Sequence, residues 1–253
     1  MNWAVKQRLL YLFLVIGFFA LLAGAFWYQT RPAPSCSDNK QNQAEIGVDC
    51  GGPCARVCSF EVKPVREVWS RVFRIDDSRY DAVTFLKNPN RKLAARQLDY
   101  RIKIFDASDV LITTKTGEAF LNPSESFFIY NSRLDVGNRE PKRAAFEITD
   151  GPVWQRVEAK LPVPKVTYKS FVNQPTPLLI AQVANDSLQT LTDLQIVAVL
   201  SDEDQNALAV SSTLVEKLDQ GESREVAFTW PKALSVDPTF FNFYPHLDLA
   251  KVK

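Results

Sequence analysis

The sequence of 253 residues contains a single histidine, His246, and its formal net charge is only +1 at pH 7. One histidine excludes a zinc site built from several histidines. A Ser-His-Asp triad would have to use His246, and no G-x-S-x-G turn accompanies it. We therefore expect His246 to be a surface or strand-end residue. The nearly neutral charge gives no electrostatic footprint for a nucleic-acid partner.

Cysteine is also scarce, and all of it lies in one stretch, "CSDNKQNQAEIGVDCGGPCARVC", residues 36–58. Outside the cytoplasm such a cluster is typical of a disulfide framework. Zinc is disfavoured because the paired C-x2-C spacing is absent. We predict two disulfides, with three pairings left open, among Cys36, Cys50, Cys54 and Cys58.

The same stretch carries oxygen-bearing side chains at short spacings. Hard cations such as calcium bind carboxylate and amide oxygens. The residues concerned are Asp38, Asn42, Glu45 and Asp49. They predict either a calcium site or, in the simpler interpretation, polar groups that cap turns and face water.

Residues 9–28, "LLYLFLVIGFFALLAGAFWY", contain no charge and no polar face. Twenty residues of helix span a bilayer core of roughly 30 Å. Lys6 and Arg8 precede the run, so we expect residues 1–8 in the cytoplasm and residues 29–59 to form a disulfide-rich spacer outside. A signal peptide cleaved at "AGA" is the alternative, although the run is longer than usual.

Beyond residue 28 no stretch keeps a helical apolar stripe over three turns. Short apolar runs, many of them alternating, are instead separated by turn residues. In residues 60–162 the predicted strands are "REVWSRVF", "YDAVTFL", "LDYRIKIF", "VLITTKT", "FFIY", "AAFEI" and "VWQRVEA". The predicted fold class of the ectodomain is all-β.

The same plan recurs after residue 163, which indicates an internal repeat. Three pairs of residues align at an offset of 96 or 97: Asn88 with Asn185, Asp106 with Asp202, and Glu125 with Glu222. We therefore predict two tandem β-sandwiches, residues 60–162 and 163–253, joined by the stiff linker "LPVPK". Aspartates at the predicted turns are expected to bond local backbone.

The cysteine stretch resembles a motif of bacterial surface proteins, C-x-D-x-x-x-N-x-x-E-x-x-V-D-C-G-G-x-C. The resemblance rests on Cys36, Asp38, Asn42, Glu45, Val48, Asp49, Cys50, Gly51, Gly52 and Cys54. It covers about a tenth of the chain and implies a secreted setting at the base of a larger ectodomain. It implies no catalysis.

The two repeats resemble the FxLYD-type module, a small immunoglobulin-like sandwich of bacterial envelope proteins. The second copy carries "NDS" at 185–187, "LSD" at 200–202 and "QGES" at 220–223; the first carries "NPN", "FD" and "PSES". Ser201 stands where the module has tyrosine, and the first copy skips that position. The resemblance implies interaction or spacer domains and brings no catalytic residues.

Two aromatic runs, "FFIY" and "TFFNFYP", place apolar groups on both faces of their strands, and a sandwich core takes only one face. The other rings either pack between domains or form an exposed ridge that docks another protein. The candidate contact residues are Phe127, Phe128, Tyr130, Phe240, Phe241, Phe243 and Tyr244.

These features together predict a membrane-anchored, extracytoplasmic, non-enzymatic protein that acts in envelope binding, adhesion or assembly. No cofactor is expected apart from the calcium alternative. The expected partner is an envelope protein, which could bind by adding a strand to a sheet edge. The competing functions are an envelope hydrolase that uses a carboxylate pair, such as Asp202 and Glu203, and a calcium-dependent adhesin.

Overall fold

Strand accounts for 49% of the chain and helix for 12%, which confirms the mostly β prediction with one N-terminal apolar helix. The computed structural model describes residues 3–30, 35–42, 44–76, 79–157 and 162–248. The chain divides into two compact units, Met1–Arg56 and Val57–Lys253. The predicted boundary between spacer and sheets, at residue 60, lies close to this division. No division of the second unit falls at residue 163.

The first unit contains helix α1, Trp3–Thr30. Its uncharged, proline-free run contains many good helix formers and suits a continuous helix. The segment Lys6–Tyr28 is long and apolar enough to cross a membrane and encloses the predicted span of residues 9–28. Because the helix is apolar on every side, it has no water-facing stripe, as expected of a helix surrounded by lipid.

The first half of the second unit consists of antiparallel strands in two sheets. Its strands are β1 (Arg66–Arg74), β2 (Tyr80–Lys87), β3 (Leu93–Phe105), β4 (Leu111–Leu121), β5 (Ser126–Asn131), β6 (Arg143–Asp150) and β7 (Trp154–Arg156). One sheet has the order β1-β2-β5; the other has the order β4-β3-β6, with β7 also paired to β3. All seven predicted runs contain a strand.

The second half repeats this arrangement. Its strands are β8 (Lys165–Val172), β9 (Leu178–Ala184), β10 (Leu191–Ser201), β11 (Ala207–Leu218), β12 (Ser223–Thr229) and β13 (Phe240–His246). The orders β12-β9-β8 and β11-β10-β13 match those of the first half, except that β7 has no counterpart among the described strands. The repeat in the sequence is therefore a repeat of strand topology.

Each half surrounds its own apolar core. In β3 the buried residues Leu98, Tyr100, Ile102 and Ile104 alternate with more exposed ones, so one face of the strand enters the core. The second half has an equivalent core, centred on residues such as Phe228. A third apolar cluster joins the two halves and explains why Val57–Lys253 is a single unit.

A buried asparagine marks the same corner in each half. The Asn88 amide nitrogen donates to the carbonyls of Leu93 (2.9 Å) and Asn122 (2.8 Å), and its Oδ1 accepts from the backbone N–H of Asn90 (3.0 Å). Asn185 makes the corresponding bonds to Gln189, Leu218, Asp219 and Ser187. These amides satisfy backbone groups that the chain buries where it leaves one sheet for the other.

Replacing Asn88 with alanine is expected to lower the free energy of unfolding by about 3 kcal/mol, because it leaves buried carbonyls without donors. The measurement is urea unfolding of the full-length protein in detergent micelles, followed by tryptophan fluorescence. Asn242, an exposed asparagine on β13, provides the control, and Asn242→Ala should change little. Equal effects of the two substitutions would contradict the structural role given to Asn88.

Candidate functional site

The cysteine stretch is closed by two disulfides, Cys36–Cys54 and Cys50–Cys58. In the first, the Cα atoms lie 5.6 Å apart. The prediction of two disulfides is therefore confirmed, and the pairing that the sequence left open is resolved. Gly51 and Gly52 both have positive φ, and a Cβ on Gly52 would lie 2.2 Å from the Ala44 carbonyl oxygen. A side chain at position 52 is thus excluded by space as well as by conformation.

The acidic residues of this stretch accept hydrogen bonds from its own backbone. The Asp49 carboxylate accepts the N–H groups of Asp38 and Asn39, both at 2.9 Å. Buried Glu45 accepts the N–H groups of Asn42 (3.2 Å) and Asp49 (3.3 Å) through Oε2. With two carboxylates used in this way, the short stretch acquires fixed turns without an apolar core.

The remaining predicted calcium ligands lie next to each other. The Asn42 amide donates to Asp38 Oδ2 (2.8 Å), and this bond lowers the pKa of Asp38. Asn42 Oδ1 is buried and has no hydrogen-bond partner among the described atoms. The Glu45 oxygen beside Cys54 faces a disulfide sulfur, which cannot act as a thiolate ligand. The contacts at Asp49 and Glu45 are those of turn capping, and calcium binding stays a prediction.

A second candidate region is the contact between the two halves of Val57–Lys253, here called the seam. It brings the outer face of sheet β1-β2-β5 against the outer face of sheet β11-β10-β13. Its buried members are Val83, Phe128, Val197, Val199 and Val210, with Trp69, Phe73, Phe85, Tyr130, Ala207 and Tyr244 packed against them. The Phe85 and Phe128 rings stack with centroids 4.3 Å apart, and Tyr244 meets both edge-on.

The seam also holds two phenols that lie among apolar side chains. Tyr130 donates its hydroxyl to the buried carboxylate of Asp81. Burial raises the pKa of Tyr130, and Asp81 acts in the same direction; burial also raises the pKa of Tyr244. Both phenols are therefore neutral at physiological pH and behave there as packing groups.

The predicted aromatic contact residues are distributed over three environments. Phe127 lies in the core of the first half, whereas Phe128, Tyr130 and Tyr244 lie in the seam. Phe241 and Phe243 pack against the core of the second half, and Phe240 is 41% exposed. Of the seven rings, Phe240 is the one on the surface, because packing within the unit uses the other six.

His246 lies at the end of β13, as predicted, but it is buried, with 6% of its surface exposed. Its ring is parallel to those of Phe120 and Phe127 in the first half, and the ring centroids lie 3.8 and 4.7 Å away. Its Nδ1 donates to Oε1 of Glu125 (3.0 Å), and the neighbouring Leu247 carbonyl accepts from the Asn122 amide (3.0 Å). Together these contacts link the two halves on the side of the seam that lies between β5 and β13.

The internal repeat supplies a comparison for this pair. Glu125 Oε2 accepts the backbone N–H of Asn122, as Glu222 Oε2 accepts that of Asp219. The second oxygen differs: Glu125 bonds to His246 across the seam, whereas Glu222 bonds to exposed Arg224 beside it. The corner glutamate thus accepts a nearby backbone N–H in both halves, and in the first half it also contacts the other half.

The opposite side of the seam, between β1 and β11, is open. A groove of about 600 Å³ lies there, here called the β1 groove. It is lined by residues 71–76, 207–210, 230 and 232–235. Its described lining combines apolar residues such as Phe73 and Trp230 with four charged residues, Arg71, Arg74, Asp76 and Lys232. This is the largest concave surface among the cavities described in the unit.

Two aspartates at predicted turns, Asp106 and the hydrolase candidate Asp202, bond local backbone. Asp106 Oδ1 accepts the N–H of Val110 (3.0 Å), and Asp202 Oδ1 accepts the N–H of Asn206 (2.7 Å). In both turns the backbone N–H of the aspartate also donates to the carbonyl of the residue four positions later, at 3.1 Å. The predicted turn chemistry therefore describes both residues, at the two aligned positions of the repeat.

The sequence analysis predicted neither the β1 groove nor the burial of His246. Neither follows from local pattern, because each depends on residues more than a hundred positions apart. The uncharged end of β13, "FYPHL", was the available signal for a buried strand end. No protein-family model matches the chain, and no curated protein matches it.

Replacing Asp49 with alanine is expected to reduce the yield of native disulfide pairs at least about twofold on oxidative refolding, because loss of its acceptors costs about 1–3 kcal/mol. Non-reducing peptide mapping by mass spectrometry measures the yield. Exposed Lys40 provides the control variant, Lys40→Ala. Equal wild-type yields in calcium and in chelator are expected, and a yield that falls in chelator would instead favour a calcium site.

Glu125→Gln is expected to lower the free energy of unfolding by about 1–2 kcal/mol, because it weakens a buried, charge-assisted bond to His246. Glu222→Gln is the matched control, since it keeps the same corner contact but only an exposed partner, and it should change stability little. In a double-mutant cycle with His246→Gln, the effect of Glu125→Gln should largely disappear. Additive effects would contradict the coupling.

Proposed function

We propose that this chain is a membrane-anchored, extracytoplasmic protein without enzymatic activity, whose sheet unit presents a binding or assembly surface. The observation that carries the proposal is the seam. In the seam the facing sheets of the two halves pack against each other, so that the halves form one unit. A large groove remains open on one side of this contact. A concave site that combines apolar and charged groups is typical of binding proteins.

Each half is proposed to be an immunoglobulin-like β-sandwich of the FxLYD type. Three observations support this. The halves share their strand order, each pair of sheets encloses a core, and the asparagine and glutamate of the resemblance make matching bonds at matching corners. Such sandwiches act through their surfaces and edges, which agrees with a binding role.

The proposed location has two independent supports. Helix α1 includes a segment with the length and composition of a membrane span. The two disulfides are of a kind that persists in oxidising compartments and is rare in the cytoplasm. With Lys6 and Arg8 on the cytoplasmic side, residues after α1 lie outside.

Labelling of intact cells tests the location. A cysteine placed at Leu188, which is 85% exposed, should react with a membrane-impermeant maleimide before lysis. A cysteine at Gln7, in the segment expected on the cytoplasmic side, should react only after lysis. The reverse pattern would sink the proposed orientation, and labelling of both before lysis would sink the membrane anchor.

Photo-crosslinking in the same cells tests the binding role. A photoreactive amino acid at Lys232, on the rim of the β1 groove, should give a discrete adduct with another envelope component. The same group at Lys103, on the charged outer face of β3 and outside the lining of the groove, should not. Absence of adducts at Lys232, at Phe240 and at further exposed positions would overturn the binding proposal.

A further inference from the structure

A second cavity lies beside the seam, on the outer face of sheet β11-β10-β13, and is here called the β10 cavity. Its volume is about 370 Å³, within the roughly 300–1,000 Å³ that is typical of small-molecule sites. It is lined by residues 193, 195, 212–214 and 246 of the second half and by Phe120 of the first. Because it shares no lining residue with the β1 groove, it is a separate candidate site.

Strand register brings the floor of this cavity together. Gln195 of β10 is opposite Leu214 of β11 on one side and opposite His246 of β13 on the other. Residues directly opposite each other in an antiparallel sheet share a face, so these three side chains form one row. Ser212 lies in the next row, opposite Val197 of the seam. The cavity thus begins where this sheet face passes from apolar to polar.

The corresponding row of the first half consists of carboxylates. There Asp99 of β3 is opposite Glu118 of β4 and Asp150 of β6, each at an offset of 96 from the row in the second half. Glu118 and Asp150 are exposed. The shared fold therefore does not require a row without carboxylates at this register, and that row is a property of the second half alone.

Several polar groups of the cavity are available to a ligand. Gln195, Ser212 and Thr213 are half-buried, and their side chains make no hydrogen bond with any residue that the structure describes. His246 bonds Glu125 through Nδ1. Its Nε2 has no hydrogen-bond partner among the described atoms and is not fully buried. The cavity therefore offers an amide, two hydroxyls and an imidazole nitrogen.

The chemistry of these groups favours a ligand rich in hydroxyls. Amides and hydroxyls both donate and accept hydrogen bonds, as the hydroxyls of such a ligand do. An anionic ligand is disfavoured, because the described lining contains no lysine or arginine. A metal ion is disfavoured as well, because Asp193, the one carboxylate of the lining, already has an interaction partner.

Phe120 adds an apolar wall to these polar groups. Its half-buried ring stacks on His246 with the ring centroids 3.8 Å apart. Phe120, Gln195 and His246 also line a smaller cavity of about 160 Å³, so these three residues are central to the concave region. A pyranose ring carries C–H groups on its faces and hydroxyls at its edge. An aromatic wall beside hydrogen-bonding groups matches that division.

We propose that the β10 cavity binds a pyranose unit of a carbohydrate. A C–H face of the sugar packs against Phe120, and its hydroxyls bond Gln195, Ser212 and the Nε2 atom of His246. The inference goes beyond the proposed function, which is carried by the seam and the β1 groove. An extracytoplasmic unit meets both envelope polysaccharides and free sugars, and the two sources share this chemistry.

The test uses the full-length protein in phosphatidylcholine nanodiscs, which contain no sugar, and saturation-transfer NMR with cellobiose, maltose and N,N′-diacetylchitobiose. At least one disaccharide should bind saturably, with the strongest transfer to the C–H protons of one ring face. Sorbitol has the hydroxyls but no ring face and should bind at least about tenfold more weakly. Equal binding of sorbitol, or binding of no disaccharide and no polysaccharide, would overturn the proposal.

Variants locate the binding. Gln195→Ala is expected to weaken it at least about fivefold, because it removes hydrogen bonds to the sugar. Phe120→Leu keeps an apolar side chain but removes the ring, and it should weaken binding by a similar factor. Gln182→Ala is the matched control, because Gln182 is a half-buried glutamine on the central strand of sheet β12-β9-β8. Equal effects of Gln195→Ala and Gln182→Ala would contradict the assigned site.

Cosedimentation with insoluble cellulose, chitin and peptidoglycan separates the two sources of sugar. Retention of the wild type but not of Gln195→Ala supports a polysaccharide ligand, whereas disaccharide binding without retention supports a free sugar. Retention that Gln195→Ala does not reduce belongs to another surface and counts against the β10 cavity. If no sugar binds while Lys232 still gives crosslinked adducts in cells, this inference fails and the proposed function stands.

Discussion

The packing of two outer sheet faces against each other is the interaction on which the rest of this ectodomain depends. A β-sheet ordinarily turns one face to its own core and the other to water. In sheet β1-β2-β5 both faces are apolar, because Phe127 and Ile129 point to the core while Phe128 and Tyr130 point outward. Each offset or edge-on aromatic contact adds about 0.5–1.5 kcal/mol beyond the burial of its area, so the face is costly to expose.

The same comparison explains why the repeat packs as a closed pair. At an offset of 97, the seam residues Phe85 and Phe128 correspond to Gln182 and Glu225, which pair with each other across β9 and β12. The outer face of the second half's equivalent sheet is therefore polar there and offers no seam to a third module. A chain of such modules would need the apolar face in every copy, and here only one copy has it.

The other sheet shows the reciprocal pattern. Val197 and Val199, which enter the seam from β10, correspond at an offset of 96 to Arg101 and Lys103 on β3. These two charged residues lie near Glu147, at 4.0 and 2.8 Å, on an outer face that remains in water. Each half thus contributes one apolar outer face, on opposite sheets, and the two faces cover each other.

How much the sequence predicts follows from the range of the interactions involved. Strands such as β3, turn residues such as Asp106 and the corner residue Asn88 are governed by alternation and by bonds to nearby backbone, and these were predictable. Disulfide pairing depends on how one short stretch turns, and alternation does not determine that. The burial of His246 depends on which distant segments meet. A ring such as Phe128 indicates that the outer face of its strand is apolar. It does not indicate whether the surface that covers this face belongs to the same chain.

Glu125 shows how a repeated corner acquires a second role. Its Oε2 performs the local capping that Glu222 also performs, so the corner is complete without Oε1. Only in the first half does a buried imidazole reach that oxygen, and it also stacks on Phe120 and Phe127 at the β5–β13 side of the seam. On the other side of the seam β1 and β11 border the groove, where the Trp230 indole donates to the Val210 carbonyl of β11. The asymmetry between two similar halves is thus what gives the corner glutamate of one half a partner in the other half.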